Sequence, residues 1–351
     1  MKLFLSESLS RSAKVLILTA LLLGTMELSL HVRAYLAGWP SIFNRVLGES
    51  HFIYDTNLAL TLLRPNIKFE SGGRIISSNA LGLRGDLPAL PKRKNDVWIV
   101  MVGSSSVMGY YANENAQTFP SYLQRALNHA DPSKNYFVLN AGMDGNDMND
   151  HIRMLAWLSR KYQWDAVILF PGFNNIKDYC NPEKSAVKKF PLAKMKLPEW
   201  VMSIDMLRKN STGLRGKNSG QSSVVEPDPT AFIGSFRTLL AEAGSLHVPT
   251  IVLPSPRSFL RTQSEQEQIR RAETARFYFP CFPLARLYDV LDLHNEILRT
   301  ETLEKGMLYF PVDQVVPTEI ENFGDSVHFS SRGNQLAAQS LADFFLLKIK
   351  D

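Results

Sequence analysis

The sequence predicts an α/β fold in which a parallel sheet is covered by helices on both faces, with one apolar helix near the N-terminus. Three observations predict it. From about residue 95, short apolar runs alternate with helical patterns; the loops after those runs are rich in Gly, Ser, Asn and Asp; and residues 15–30 are almost wholly apolar. At 351 residues and 45% hydrophobic, the chain can bury a large core in one or two domains.

The first element is the apolar one. Lys2, Arg11 and Lys14 precede Val15–Leu30 (VLILTALLLGTMELSL), and apolar character resumes weakly through Tyr35, Leu36 and Trp39. A spanning helix needs roughly 20 residues, and the core of a cleaved signal about 7–15. The run lies between the two lengths. His31 and Arg33 interrupt the place where a small-residue cleavage site would fall, which favours an uncleaved signal anchor over a cleaved signal or a buried core helix. The basic flank then keeps the first residues cytoplasmic and exports the rest. Glu27 is costly in lipid, so it is expected near the outer interface or paired. Residues 1–40 are read as cytoplasmic tip and anchor, and 41–94 as a membrane-proximal extension. The sheet domain is 95–351, with an insertion at about 179–229.

The expected strands are Val97–Val102, Phe137–Leu139, Ala166–Phe170, Thr250–Leu253 and Met307–Phe310. Helices are expected at Thr118–Ala130, Asn149–Tyr162 and Arg332–Leu347. The first has Thr118 as N-cap, Pro120 in its first turn, and Phe119, Leu123, Ala126 and Leu127 on one face. Strand, helix, strand in repetition means a parallel sheet whose ligands bind at the carboxyl ends of its strands.

Composition excludes several classes of function. Net charge is +5, with no aromatic-interleaved basic stripe or helix-turn-helix spacing, so nucleic acid is not an expected partner. Cys180 and Cys281 lack CxxC partners or neighbouring histidines, so no zinc site is indicated; one bridge between them stays open. No metal or other cofactor is expected.

The loops carry the chemistry. Gly103-Ser104-Ser105-Ser106-Val107-Met108-Gly109 follows the first strand and fits G-x-S-x-x-x-G; Val107 stands where the second glycine of GxSxG would be. Asn140-Ala141-Gly142-Met143-Asp144-Gly145 follows the second strand, Gly172-Phe173-Asn174-Asn175 the third, and Asp325-Ser326-Val327-His328 precedes the last helix. In this order and spacing, the four blocks resemble the SGNH, or GDSL-type, serine hydrolase family across most of residues 95–351. The resemblance implies a three-layer α/β/α, flavodoxin-like sheet. It also implies Ser105 as nucleophile, Gly145 as oxyanion donor with Gly142 the competing choice, Asn174 as side-chain donor, and Asp325 and His328 as the rest of a triad. Ser104 and Asn175 depart from the family pattern, which has aspartate at both positions.

The chemistry needs these residue types. Histidine, titrating ordinarily near about 6.5, can take a serine proton and return it to a leaving group. A carboxylate three residues upstream can fix its tautomer, and backbone N–H groups with an amide can stabilise the oxyanion. Three functions fit: an esterase or deacylase forming an acyl-serine, an O-acyltransferase delivering that acyl group to a sugar hydroxyl, and a non-catalytic anchored binding protein. The expected substrate is an O-acylated glycan or lipid outside the cytoplasm. Two other regions stand out. The extension holds Tyr54-Asp55, Arg64-Pro65-Asn66 and Asn79–Gly85 (NALGLRG), similar to the membrane-proximal part of anchored family members and read as a packing extension. Lys184–Lys217 carries nine Lys/Arg against Glu199 and Asp205, among apolar residues that are mainly aliphatic, Leu192, Met195, Leu197, Met206 and Leu207, with Phe190 and Trp200 beside them. That composition fits two readings, a flexible solvated loop or a flap beside Ser105 that docks on anionic lipid or guides an anionic polysaccharide.

Overall fold

A computed structural model describes residues 10–36, 50–180, 202–203 and 226–349. Most of the basic insertion lies outside the described residues, and with it the expected flap and the sequon Asn210-Ser211-Thr212. The chain divides into two compact units, residues 1–50, 71–73 and 189–218 in one and 51–70, 74–188 and 219–351 in the other.

In the first unit, α1 (Arg11–Leu36) has 26 residues and a mean hydropathy of 1.9 in its most apolar window. At 1.5 Å per residue it runs about 39 Å, longer than the roughly 30 Å hydrocarbon core. It is long and apolar enough to cross a membrane, a property that signal sequences near an N-terminus share. Glu27 is paired: its carboxylate accepts the Met202 and Ser203 backbone N–H groups and lies 3.3 Å from His31 Nε2.

The second unit opens with two short ribbons. β1 (Phe52–Asp55) pairs antiparallel with β2 (Leu60–Leu63), and β3 (Lys68–Ser71) pairs with β4 (Arg74–Ser77). The sequence reading assigned no strands here. Leu60, Leu62, Leu63, Ile76 and Leu83 are buried in the same cluster as one face of the main sheet, which anchors the ribbons.

The elements that follow are β5 (Asp96–Gly103), α2 (Ser105–Met108), α3 (Phe119–Ala130), β6 (Asn135–Gly142), α4 (Met148–Ser159) and β7 (Ala166–Phe170). After the insertion come α5 (Thr230–Gly244), β8 (Thr250–Val252), α6 (Glu265–Arg271), α7 (Glu273–Tyr278), α8 (Leu284–Glu304), β9 (Leu308–Tyr309), α9 (Val312–Val315) and α10 (Ser331–Ile349). The five strands are all parallel in the order β6-β5-β7-β8-β9, so each of the five expected strands is present. This is the flavodoxin-like order, and its reversal of direction falls at β5.

Alternation along the strands builds the two outer layers, because successive side chains leave opposite faces. Trp98, Val100 and Val102 of β5 join Leu155 and Leu158 of α4, Leu239 and Leu240 of α5, and Leu291 of α8 in one core. Ile99 and Met101 join Leu123 and Leu127 of α3 with Ala338 and Leu341 of α10 in the other. Thr118 holds the N-cap position of α3, but its hydroxyl donates to Asn115 O at 2.9 Å and makes no capping bond.

Register then sets the site. Gly103, the last residue of β5, pairs with Gly142 on β6 and with Phe170 on β7, so the three strands end flush. Their following loops therefore open at one level, beside the reversal of strand order. A disulfide joins Cys180, at the start of the insertion, to Cys281 before α8, with Cα atoms 6.1 Å apart. Replacing both cysteines with serine is expected to lower unfolding free energy by about 2–4 kcal/mol, read from urea midpoints followed by circular dichroism. An unchanged midpoint would show that the bridge contributes no stability.

Candidate active site

Ser105 is the first residue of α2, where the chain leaves β5 through the N-cap Ser104, and only 7% of it is exposed. Its Oγ lies 2.7 Å from His328 Nε2, and His328 Nδ1 lies 2.8 Å from Asp325 Oδ2. A carboxylate accepts, so Nδ1 carries the proton and Nε2 is left to accept from the serine. The loop is pre-set for this by Asp325 itself. Its Oδ1 accepts the backbone N–H groups of Val327 and His328, each at 2.9 Å, an Asx turn that swings the histidine back over the carboxylate. Burial pushes the Asp325 carboxyl up, but its hydrogen bond and charge attraction to His328 and the two backbone donors outweigh this and hold it below the usual carboxylate range.

The two glycine candidates differ sharply. Gly142 ends β6, donates its N–H to Asn140 Oδ1 at 3.1 Å, and packs so tightly on α2 that a Cβ would stand 2.1 Å from Met108 N. Its smallness serves helix packing and its donor is engaged. Gly145 has φ 77°, faces open space, and its N–H has no partner among the described residues. The Ser105 N–H is likewise unengaged among the described residues. Asn174 Nδ2 donates to Asn146 O at 2.8 Å, which uses one amide hydrogen and leaves the second. Loop 143–146 and Asn174 are thus tied together.

The departures from the family pattern have local explanations. Asn175 Oδ1 accepts the Met148 N–H at 3.0 Å at the start of α4, a task an amide oxygen performs as a carboxylate would, and its Nδ2 donates to Asp178 at 3.1 Å. Ser104 is fully buried against Gly172, whose Cβ, were there one, would stand 2.7 Å from the Ser104 hydroxyl.

Sequence reasoning gives several neighbours no role, including Asp144 and Phe173, which lie inside the quoted blocks. The Tyr111 hydroxyl donates to Asp325 Oδ2 at 3.2 Å, and burial pushes its own ionisation upward. The rings of Tyr110, Tyr111 and Phe173 stand 5.7, 5.9 and 5.1 Å from the His328 ring. Asp144, next to Gly145, is pushed up by burial against the opposing charges of His328, Arg74 and Arg84. Behind the Gly172 loop, His294 Nε2 donates to Gly172 O at 3.1 Å, and Nδ1 accepts from Tyr179 OH at 2.8 Å. Among the described residues no cluster of His, Cys, Asp and Glu could hold a metal ion.

No family model matches the sequence, and no curated protein matches it. Solved structures similar to it include a member of the lipolytic G-D-S-L family from Veillonella parvula, at 14% identity over 72% of this chain and 97% of that one, with TM-score 0.43. An acetyl xylan esterase from Geobacillus stearothermophilus is similar at 16% identity over 72% and 93%, TM-score 0.43. The lipase/acylhydrolase from Enterococcus faecalis is similar at 16% over 71% and 95%, TM-score 0.42. At such identities and scores, what the site does is read from its own geometry.

Burial holds the imidazoles of His294 and His151 down at about 4, below the ordinary histidine value of about 6.5. The unfolded chain therefore takes up these protons first. Stability present above pH 6.5 should fall as pH drops towards 4. In His294→Gln, which keeps a donor for Gly172, the slope of urea stability against pH across that window should shrink while His151 sustains the remainder. Identical slopes in parent and variant would contradict the assignment.

Proposed function

We propose that the chain is a membrane-anchored serine esterase that removes an acyl group from an oxygen ester by way of an acyl-Ser105 intermediate. The observation that carries this reading is the continuous hydrogen-bonded line from Ser105 through His328 to Asp325, at 2.7 and 2.8 Å, where three strands end flush. A solvated D-x-x-H loop has no reason to meet a buried serine from the other end of the chain.

In the proposed cycle, Ser105 Oγ attacks the ester carbonyl carbon while its proton passes to His328 Nε2. The Asp325 carboxylate stabilises the resulting imidazolium without taking its proton. The negative charge that develops on the carbonyl oxygen falls to the Ser105 and Gly145 N–H groups and the second amide hydrogen of Asn174. Collapse of this intermediate breaks the ester C–O bond, and His328 returns the proton to the departing alkoxide. Water then repeats the sequence on the acyl-serine, releasing the acid and restoring Ser105.

The anchor and compartment are part of the same proposal. α1 with its basic flank favours a cytoplasmic N-terminus. The Cys180–Cys281 bridge fits an oxidising compartment for the catalytic part, so an envelope or extracellular ester is the proposed substrate. A reporter fused after Asp351 should then be active only outside the cytoplasm, and carbonate washing should leave the full chain in the membrane. A shortened soluble product would mean the helix is a cleaved signal.

Full-length protein mixed with 4-nitrophenyl acetate should release a burst of nitrophenol close to one equivalent, absent in Ser105→Ala. His328→Ala should lower kcat by about 10²–10⁴. Asn174→Ala should lower it by about 10²–10³ with little change in KM. Parent-level turnover in Ser105→Ala would rule out Ser105 as the nucleophile, the absence of any turnover in the parent would leave a binding role, and acyl product on an added glycan in place of free acid would make the reaction a transfer.

A further inference from the structure

Arg84 lies in the membrane-proximal extension, outside the four loops that carry the proposed chemistry, yet its side chain is among the largest fully buried ones, with the residue 1% exposed. Its guanidinium has no carboxylate bound to it among the described residues. It is held by oxygens of the segment that follows Ser105: Gly109 O at 2.8 Å, Met108 O at 3.2 Å, Ala112 O at 3.2 Å and Asn115 Oδ1 at 3.0 Å. A helix leaves its last four carbonyls without intrahelical partners, and α2 is only four residues long. Arg84 answers one of those oxygens, Met108 O, together with the carbonyl of the C-cap Gly109, and a cation at a helix C-terminus also meets its negative dipole end.

The clamped segment touches every member of the proposed triad. It begins at Ser105, and Gly109 and Tyr110 both donate their N–H groups to Ser105 O, at 2.9 and 3.0 Å. Between the carbonyls that Arg84 grips lie Tyr110 and Tyr111, whose rings stand beside His328 and whose Tyr111 hydroxyl donates to Asp325. The extension holds the far side of the same segment. Asn115 Nδ2 donates to Ser77 O at 2.8 Å, and Ile75 N donates to Asn113 O at 2.7 Å. Burial lowers the Arg84 guanidinium to about 10, so it stays charged at neutral pH. Removing it would leave Met108 O and Ala112 O without the donors its fork supplies, while Gly109 O would keep the Ala112 N–H at 2.9 Å and Asn115 Oδ1 the Ser77 N–H at 3.2 Å.

We propose that Arg84 is a positioning residue: docked from the membrane-proximal extension, its guanidinium fixes the Ser105–Asn115 segment so that Ser105 and the tyrosines meet His328 and Asp325 in line. The extension is thus a structural part of the site. The catalytic consequence rests on the hydrolase reading above; the clamp itself does not.

The test uses the full-length chain in detergent micelles, as Arg84→Lys, which keeps the charge but places its three donors on one nitrogen in place of the fork of Nε, Nη1 and Nη2, and as Arg84→Gly with and without methylguanidinium. Amide hydrogen exchange by mass spectrometry reads the clamp, and turnover of 4-nitrophenyl acetate reads its consequence. In Arg84→Lys, peptides covering 105–117 should exchange faster while β6, β7 and α10 keep parent protection. kcat should fall about 10²-fold, as misplacement by about 1 Å can cause, with KM nearly unchanged. Methylguanidinium should restore protection and kcat to Arg84→Gly. Parent exchange rates at 105–117 in Arg84→Lys would overturn the proposal. So would loss of protection across the whole sheet that methylguanidinium fails to repair, because Arg84 would then be a general requirement for folding. If the parent itself turns over no ester, the hydrolase reading fails, and the exchange result still decides the clamp.

Discussion

The parallel pairing of β5 with both of its neighbours is the constraint on which the site depends. Because Gly103 lies opposite Gly142 and Phe170, the loops beginning at Ser104, Met143 and Pro171 leave the sheet at one level. A side chain displaced by one residue along a strand would point to the other face, so this register is held by the two cores that β5 feeds alternately. Trp98, Val100 and Val102 on one side and Ile99 and Met101 on the other fix it with buried area. Only on that frame can Ser105 stand 2.7 Å from a histidine 223 positions away.

Around the frame, polar groups are arranged in tiers that each constrain the next. Asp325 orders its own loop through two backbone hydrogen bonds before it meets His328. His294 and Tyr179 hold the Gly172 loop, Asn174 holds Asn146, and Asn175 holds the first turn of α4. Burial depresses His294 and so keeps it neutral, which is the state that can donate to Gly172 and accept from Tyr179 at once. Each tier is a buried or half-buried polar group whose loss would leave a partner unpaired, so each is costly to change.

Much of this was legible in the sequence, and the reasons differ by element. The five strands are short apolar runs bounded by turn residues, a local signal, and all five are present. Of the strands not expected, β1 and β2 are short apolar runs that carry the same signal, whereas β3 and β4 are half exposed with mixed polarity, and pairing, not composition, defines them. Ser105 and Asn174 stand out in the sequence as candidates because each sits in a loop of small and polar residues at an expected strand end, and Asp325 and His328 because their D-x-x-H block precedes the last helix. The geometry brings Ser105, Asp325 and His328 into hydrogen-bonded contact and separates Gly145 from Gly142 by what their N–H groups meet. Arg84, Tyr111 and His294 were not found as site residues, because the partners that give them meaning are 24 to 214 positions distant. The Cys180–Cys281 bridge was left open for the same reason, since two cysteines 101 residues apart carry no spacing signal.

The central claim is that Ser105 is an activated nucleophile. A fluorophosphonate that forms a stable adduct with activated serines measures this directly, with the modified site located by peptide mass spectrometry on the full-length protein. The account predicts one adduct per chain, confined to Ser105, with no labelling of Ser104 or Ser106 and a much slower reaction in His328→Ala. Labelling at Ser104 or Ser106, or an unreactive parent protein that is folded, would contradict it.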